Sequence, residues 1–332
     1  MSGNGPEHQK TDHAPGTRSG VTVALTACSD YEPPVLFRAL EQVLQVTELP
    51  VSLYNAKVLL KPNLVSAKSG PLSRTEGALI LAVAQWFLDH GAQLSIGDSP
   101  AFGTASVVLK KLNLTDELTV LGVQVQDFTR AVQVDLPGGA HAMLARTALE
   151  CDLLVNLPRV KAHAQTRLTL AVKNLFGCLV GLRKAWWHMV HGGGRHSTEK
   201  GAGFFDRIVC IPAVLPPCLS IVDGIVAMHK TGPVHGSPYP LATLAASINP
   251  VAADRALHEI LGVQPEHSPV MAACQRAALP GAELLQLAFP LSAPEELRVH
   301  DFQVLDELHP VRFNPFQFLK SSIQRAFMHT FR

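Results

Sequence analysis

Short apolar runs alternate with apolar residues at helical spacing along most of the chain. Residues 21–27 and 57–60 are apolar runs of strand length. Between them, Leu36, Leu40, Val43 and Leu44 mark one face of a helix over 34–46. Residues 76–90 continue as a second helix, and Gly91 supplies its stop signal. Residues 93–96 read as a strand that enters Gly97-Asp98-Ser99-Pro100, and 104–112 read as a helix. This βαβα order predicts a parallel, doubly wound sheet. In such sheets ligands gather beyond the carboxyl ends of the strands. Lys61, Asn63, Asp98 and Ser99 fall at that edge.

Farther along, a Pro-Gly-Gly turn inside 132–143 separates two alternating stretches and predicts a hairpin. A second α/β unit follows. It has strands at 152–157, 219–222 and 241–247, and helices at 166–179, 205–215 and 251–261. The Gly- and His-rich stretch 185–203 predicts a loop or lid. The expected architecture is α/β, with two doubly wound, mainly parallel-sheet lobes, 20–148 and 149–300, and a cleft between them. Residues 1–19 are expected to be a disordered tail, and 301–332 a C-terminal basic, Phe-rich tail or docking helix.

Composition narrows the classes. Of the 332 residues, 47% are hydrophobic and 17% charged, enough to bury a large core. A net charge of +1 argues against a general nucleic-acid-binding surface. The six cysteines contain no CxxC pair, so neither a zinc ribbon nor an iron–sulfur cluster is expected, and buried free thiols are. No apolar run is long enough for a membrane span, and the polar N-terminus has no secretory h-region. The expected location is cytoplasmic. Residues 311–332 carry Arg312, Lys320, Arg325 and Arg332, no acid, and five Phe. That pattern suits contact with a protein or a membrane surface, or a terminal helix docked on the body.

The densest polar segment runs from Asn156 to Arg167 and includes Lys161 and His163. It follows an apolar strand, and it reads as a strand-to-helix loop. An ammonium and an imidazole there suit a carboxylate or phosphate, and His163 can exchange a proton near neutral pH. A solvated basic loop is the alternative. Lys173 and Asn174 interrupt an otherwise apolar helix and either face water or aim into a site. Arg183, Lys184, His188 and His191 follow. His188 and His191 share a helical face, and with His163 they could hold a divalent metal. A Gly-rich lid with incidental histidines is the alternative. Asp223-Gly224 after a strand offers a carboxylate or a turn. Asp254 at a helix start reads as a cap or as a charge that compensates the helix dipole.

Several strings together resemble the family catalogued as domain of unknown function 362. They are Val58-Leu-Leu-Lys61-Pro62-Asn63, Gly97-Asp98-Ser99, Asn156-Leu-Pro-Arg-Val-Lys161-Ala-His163, Lys173-Asn174-Leu-Phe-Gly177, Arg183-Lys184 with His188, and Val222-Asp223-Gly224-Ile225 with Gly232-Pro233. The resemblance covers residues 20–265 and implies a fold and a shared site, without a particular reaction. Relatives often carry a ferredoxin-like cluster module, which this chain lacks. The family usually has Glu after the Met that follows Val-Asp-Gly-Ile. Here the run is Met228-His229-Lys230-Thr231. Two functions are consistent with these features. One is an enzyme that binds a small anion, with Lys61, Asn63, Asp98, Ser99, Lys161, Lys173, Asn174, Arg183 and Lys184 around it. His163, His188 or Asp223 would move protons. The other is a non-catalytic redox or maturation accessory protein acting through a partner.

Overall fold

The computed structural model describes residues 20–180, 187 and 198–309. The expectations for 1–19, for Arg183, Lys184, His188 and His191, and for 311–332 lie outside the described residues.

The mainly parallel α/β sheet is present. Strands β3 (Lys57–Pro62), β4 (Gln93–Asp98), β5 (Gln124–Asp127), β8 (Leu153–Leu157) and β11 (Cys218–His229) run parallel to their neighbours, in the order β11-β8-β3-β4-β5. Both halves of the chain feed this one ten-stranded sheet, so the two expected lobes share it instead of each having its own. Strand β2 (Ala24–Ala27) even pairs with β13 (Thr243–Ser247), from the far end of the sequence. The predicted hairpin forms as β6 (Ala131–Asp135) and β7 (His141–Ala145).

The two faces of the sheet explain the apolar runs. Val58 and Leu60 of β3, with Val155 of β8, pack against α1 (Pro33–Gln45) and α2 (Gly77–Asp89) through Leu36, Leu40, Ile80 and Val83. Leu59 and Leu154, one residue out of phase, face α6 (Ala171–Leu175) and α7 (Thr198–Ile208) through Val172, Leu175 and Phe204. Each buried aliphatic side chain contributes roughly 1.5–3 kcal/mol, so this double-sided burial fixes the strand register.

Several predicted elements change. Residues 166–179 are not one helix. They divide into β10 (Arg167–Thr169), α6 and a 3₁₀ turn. The apolar residues there have helical spacing, but β10 covers the otherwise open edge of β9 (Arg159–His163), and that pairing prevails. Lys161 and His163 therefore lie on a buried strand and not on a loop. Strand β11 runs on through Asp223-Gly224, so that pair is no turn. Asp254 is not a cap of its own helix α8 (Pro250–Leu261), whose N-cap is Asn249. Its carboxylate instead accepts from Ala171 N at 2.6 Å and Val172 N at 3.1 Å, capping α6 from a distance. Residues 198–203 belong to α7, so the predicted loop ends earlier. All six cysteines are free thiols, and Cys28, Cys178, Cys218 and Cys274 are buried.

Candidate functional site

A row of polar residues crosses the sheet at equivalent register. Ser247, Ser220, Asn156 and Lys61 are successive partners on β13, β11, β8 and β3. Each is completely buried. Asn156 Nδ2 donates to Ser220 Oγ at 3.1 Å and to Ala171 O at 3.0 Å. Asn174 Nδ2 donates to Asn156 Oδ1 at 2.8 Å and to Lys61 O. Lys61 Nζ donates to Asp98 Oδ1 at 2.7 Å, to Pro62 O at 3.0 Å and to Asn174 Oδ1 at 3.5 Å. The second Asp98 oxygen accepts from Leu64 N. A buried network of this kind is stable because its partners are matched, and removing one leaves the others stranded.

Lys161 stands on β9 at the same end of the sheet. It is 1% exposed, and its Nζ donates to Ser73 O at 2.7 Å and Asn63 Oδ1 at 3.2 Å. Both acceptors are neutral. Burial lowers the Lys161 ammonium to about pKa 7, and the nearby cations Lys173, Arg159 and Lys61 lower it too, against the pull of Asp98. The half-buried Lys173 is lowered to about 8 by burial. Its Nζ lies over the Phe176 ring, 5.7 Å from the centroid. Among the described residues it meets no hydrogen-bond acceptor.

Gly177 closes this end of the site. A Cβ there would lie 2.4 Å from Lys61 Nζ and 2.5 Å from Asp98 Oδ1, so only glycine lets the chain pass over the ion pair. Thr169, directly across from Lys161 in the β9–β10 pair, projects to the same face. Its Oγ1 is buried and has no hydrogen-bond partner among the described residues.

A second network lies beside the first. Tyr31 OH donates to Asp223 Oδ1 at 2.6 Å and accepts from Arg159 Nη2 at 3.0 Å and Val226 N. Arg159 also reaches Glu76 Oε2 at 3.3 Å and Val226 O at 2.7 Å. Burial raises the Asp223 carboxyl against the lowering effects of Arg159 and Tyr31. Asp223 is thus tied into a network that joins the segments leading into α1 and α2 to β11.

The structure brings Lys61, Asn63, Asp98, Lys161, Lys173 and Asn174 into one region, with Ser99 directly after Asp98. His163 is buried on the same strand as Lys161, and its Nδ1 accepts from Gln165 N at 3.0 Å. Among the described residues, no three His, Cys, Asp or Glu side chains are grouped to hold a metal. The altered Met228–Thr231 run places Met228 opposite Lys161, with the His229 ring 5.1 Å from Tyr239 and 6.0 Å from Phe302. Sequence reasoning missed Tyr31 and Ser220, and it quoted Arg159 and Gly177 in their segments without giving either a role. It also left Asn156 out of the site, although a lone amide inside Leu153-Leu-Val-Asn-Leu is a readable signal.

Fold and site together define a mixed α/β protein with a buried, lysine-rich polar site at the carboxyl ends of its parallel strands. The chain belongs to the family described as domain of unknown function (DUF362), which matches residues 58–259. A thylakoid-associated protein of Synechocystis sp. is 36% identical over 274 residues, covering 82% of this chain and 83% of that protein. Two solved structures are more distant. The lactate racemase apoprotein from Thermoanaerobacterium thermosaccharolyticum is 13% identical, with a TM-score of 0.43 over 72% of this chain and 56% of that one. A Thermotoga maritima protein solved as a structural genomics target is 10% identical, with a TM-score of 0.44 over 76% of this chain and 60% of that one.

Proposed function

We propose that the protein is an enzyme that binds a small carboxylate or phosphate at the lysine cluster. One observation carries this reading. Among the described residues the Lys161 ammonium is met only by neutral oxygens, and neighbouring Lys173 by no acceptor. Asp98 is already bonded to Lys61. Like charges held together out of water repel strongly, and an anion between them relieves the repulsion. Amines shifted this far, at a strand-end site, also suit chemistry at neutral pH. Metal assistance through His163, His188 and His191 is part of the proposal. Elemental analysis of untagged protein tests that part, and metal well below one ion per chain sinks it.

Calorimetric titration with phosphate and with oxalate tests the main reading. Binding is expected in the native protein and absent in a folded Lys161→Ala/Lys173→Ala variant. Equal affinity in the two proteins overturns it.

A second reading draws on a separate observation, the thylakoid association of the Synechocystis relative. We propose that residues 311–332, with four basic side chains and five Phe, touch an anionic membrane surface or a protein partner. No helix among the described residues is long and apolar enough to cross a membrane, so this contact would be peripheral. Co-sedimentation of the full chain with anionic vesicles, lost on deleting 311–332, is the expected result. Equal pelleting of both forms counts against the tail.

A further inference from the structure

We propose that Lys173 is a covalent site, whose ε-amine condenses with the carbonyl of a small oxo acid while Lys161 holds the carboxylate. This rests on the anion-binding reading above and adds the substrate class and the bond formed.

The three lysines differ in ways that assign the role. Lys61 and Lys161 are 0% and 1% exposed, and their ammonium protons are directed at fixed oxygens. Those bonds fix the two amines in place and leave neither of them exposed to attack a carbonyl, which suits a binding role. Lys173 is half-buried and therefore reachable, and its Nζ is free of acceptors among the described residues. It lies over the Phe176 face. Desolvation and adjacent cations are the usual means by which a lysine becomes a nucleophile. Thr169 Oγ1, buried on the Lys161 face with no partner among the described residues, is a further group available to a bound oxo acid.

Lys173 also lines a cavity of about 10 Å³ with Leu168, Leu170, Asp254 and His258. That volume is about the size needed for one water. The amine lone pair attacks the carbonyl carbon, and the C–N bond forms as the C=O π bond opens. The oxygen then leaves as water with the two amine hydrogens, giving C=N. Hydrolysis takes one water back. No oxidant or reductant enters.

The test is reductive trapping of the native protein with glyoxylate and cyanoborohydride, read by peptide mass spectrometry. One carboxymethyl group is expected on Lys173, formed at neutral pH on the order of tenfold faster than on exposed lysines, because more of the amine is unprotonated. The Lys173 rate should level off above about pH 8, the pKa to which burial lowers this amine. Excess oxalate should suppress it. Trapping spread evenly over surface lysines, or centred on Lys161, overturns the proposal. If oxalate still binds by calorimetry in that case, the anion reading stands and only the covalent step falls. If oxalate does not bind either, both fall.

Discussion

Lys61 Nζ and Asp98 Oδ1 lie 2.7 Å apart and tie β3 to β4 at their carboxyl ends. Their side chains are 1% and 5% exposed, so neither charge has water as an alternative partner. Lys61→Met should cost about 3–5 kcal/mol in urea unfolding, because it strands a buried carboxylate. Replacing both residues by apolar ones of similar size should recover much of that loss. A single-variant loss under about 1 kcal/mol would show that the pair is not structurally coupled.

Gly177→Ala tests the same pair from above. The added Cβ meets Lys61 Nζ and Asp98 Oδ1 far inside contact distance, and both ends are held by hydrogen bonds. A loss of about 1–3 kcal/mol is expected. Oxalate affinity should fall as well, because Lys61 is displaced. Unchanged stability and affinity would mean that the 176–178 turn shifts without disturbing the site.

The site makes stability depend on pH in an unusual direction. Folding lowers Lys161 to about 7, below its unfolded value, so between these values the unfolded chain binds more protons. The destabilisation is fully present below pH 7 and is relieved as pH rises toward the unfolded lysine pKa. Without anion, stability should therefore climb from neutral pH upward, by at most ~1.4 kcal/mol per pH unit from this group. Lys161→Met should flatten the climb, and saturating oxalate should also flatten it by keeping the amine charged. Chemical denaturation at several pH values reads this out, and a native slope that does not change in the variant contradicts it.

Tyr31→Phe tests the second network. It removes the donor to Asp223 and the acceptor for Arg159 and Val226 N. Leaving these buried groups unmatched should cost about 1–3 kcal/mol. Thermal unfolding measures it. A melting temperature equal to that of the native protein would show that a water replaces the hydroxyl.

The sequence by itself determined the class of fold and most of the lysine cluster. Apolar runs such as Val58-Leu-Leu and Leu153-Leu-Val face cores on both sides, and burial on both sides is legible in one dimension as unbroken hydrophobicity. Lys61, Asp98 and Lys161 were legible because charges at the ends of such runs need partners or a ligand. What only the tertiary structure decided was pairing across long separations. Residues 166–179 have helical spacing, yet β9 offered 167–169 a strand edge. Asp254 looked like a local cap, yet Ala171 and Val172 held the unsatisfied N–H groups it serves. Tyr31 and Asp223 are 192 positions apart, and only the closing of one sheet over both halves of the chain brings their oxygens within 2.6 Å. Local propensity is a weak free energy spread along the chain, whereas a buried, unmatched polar group costs several kcal/mol at one point, and matching that group set the final arrangement.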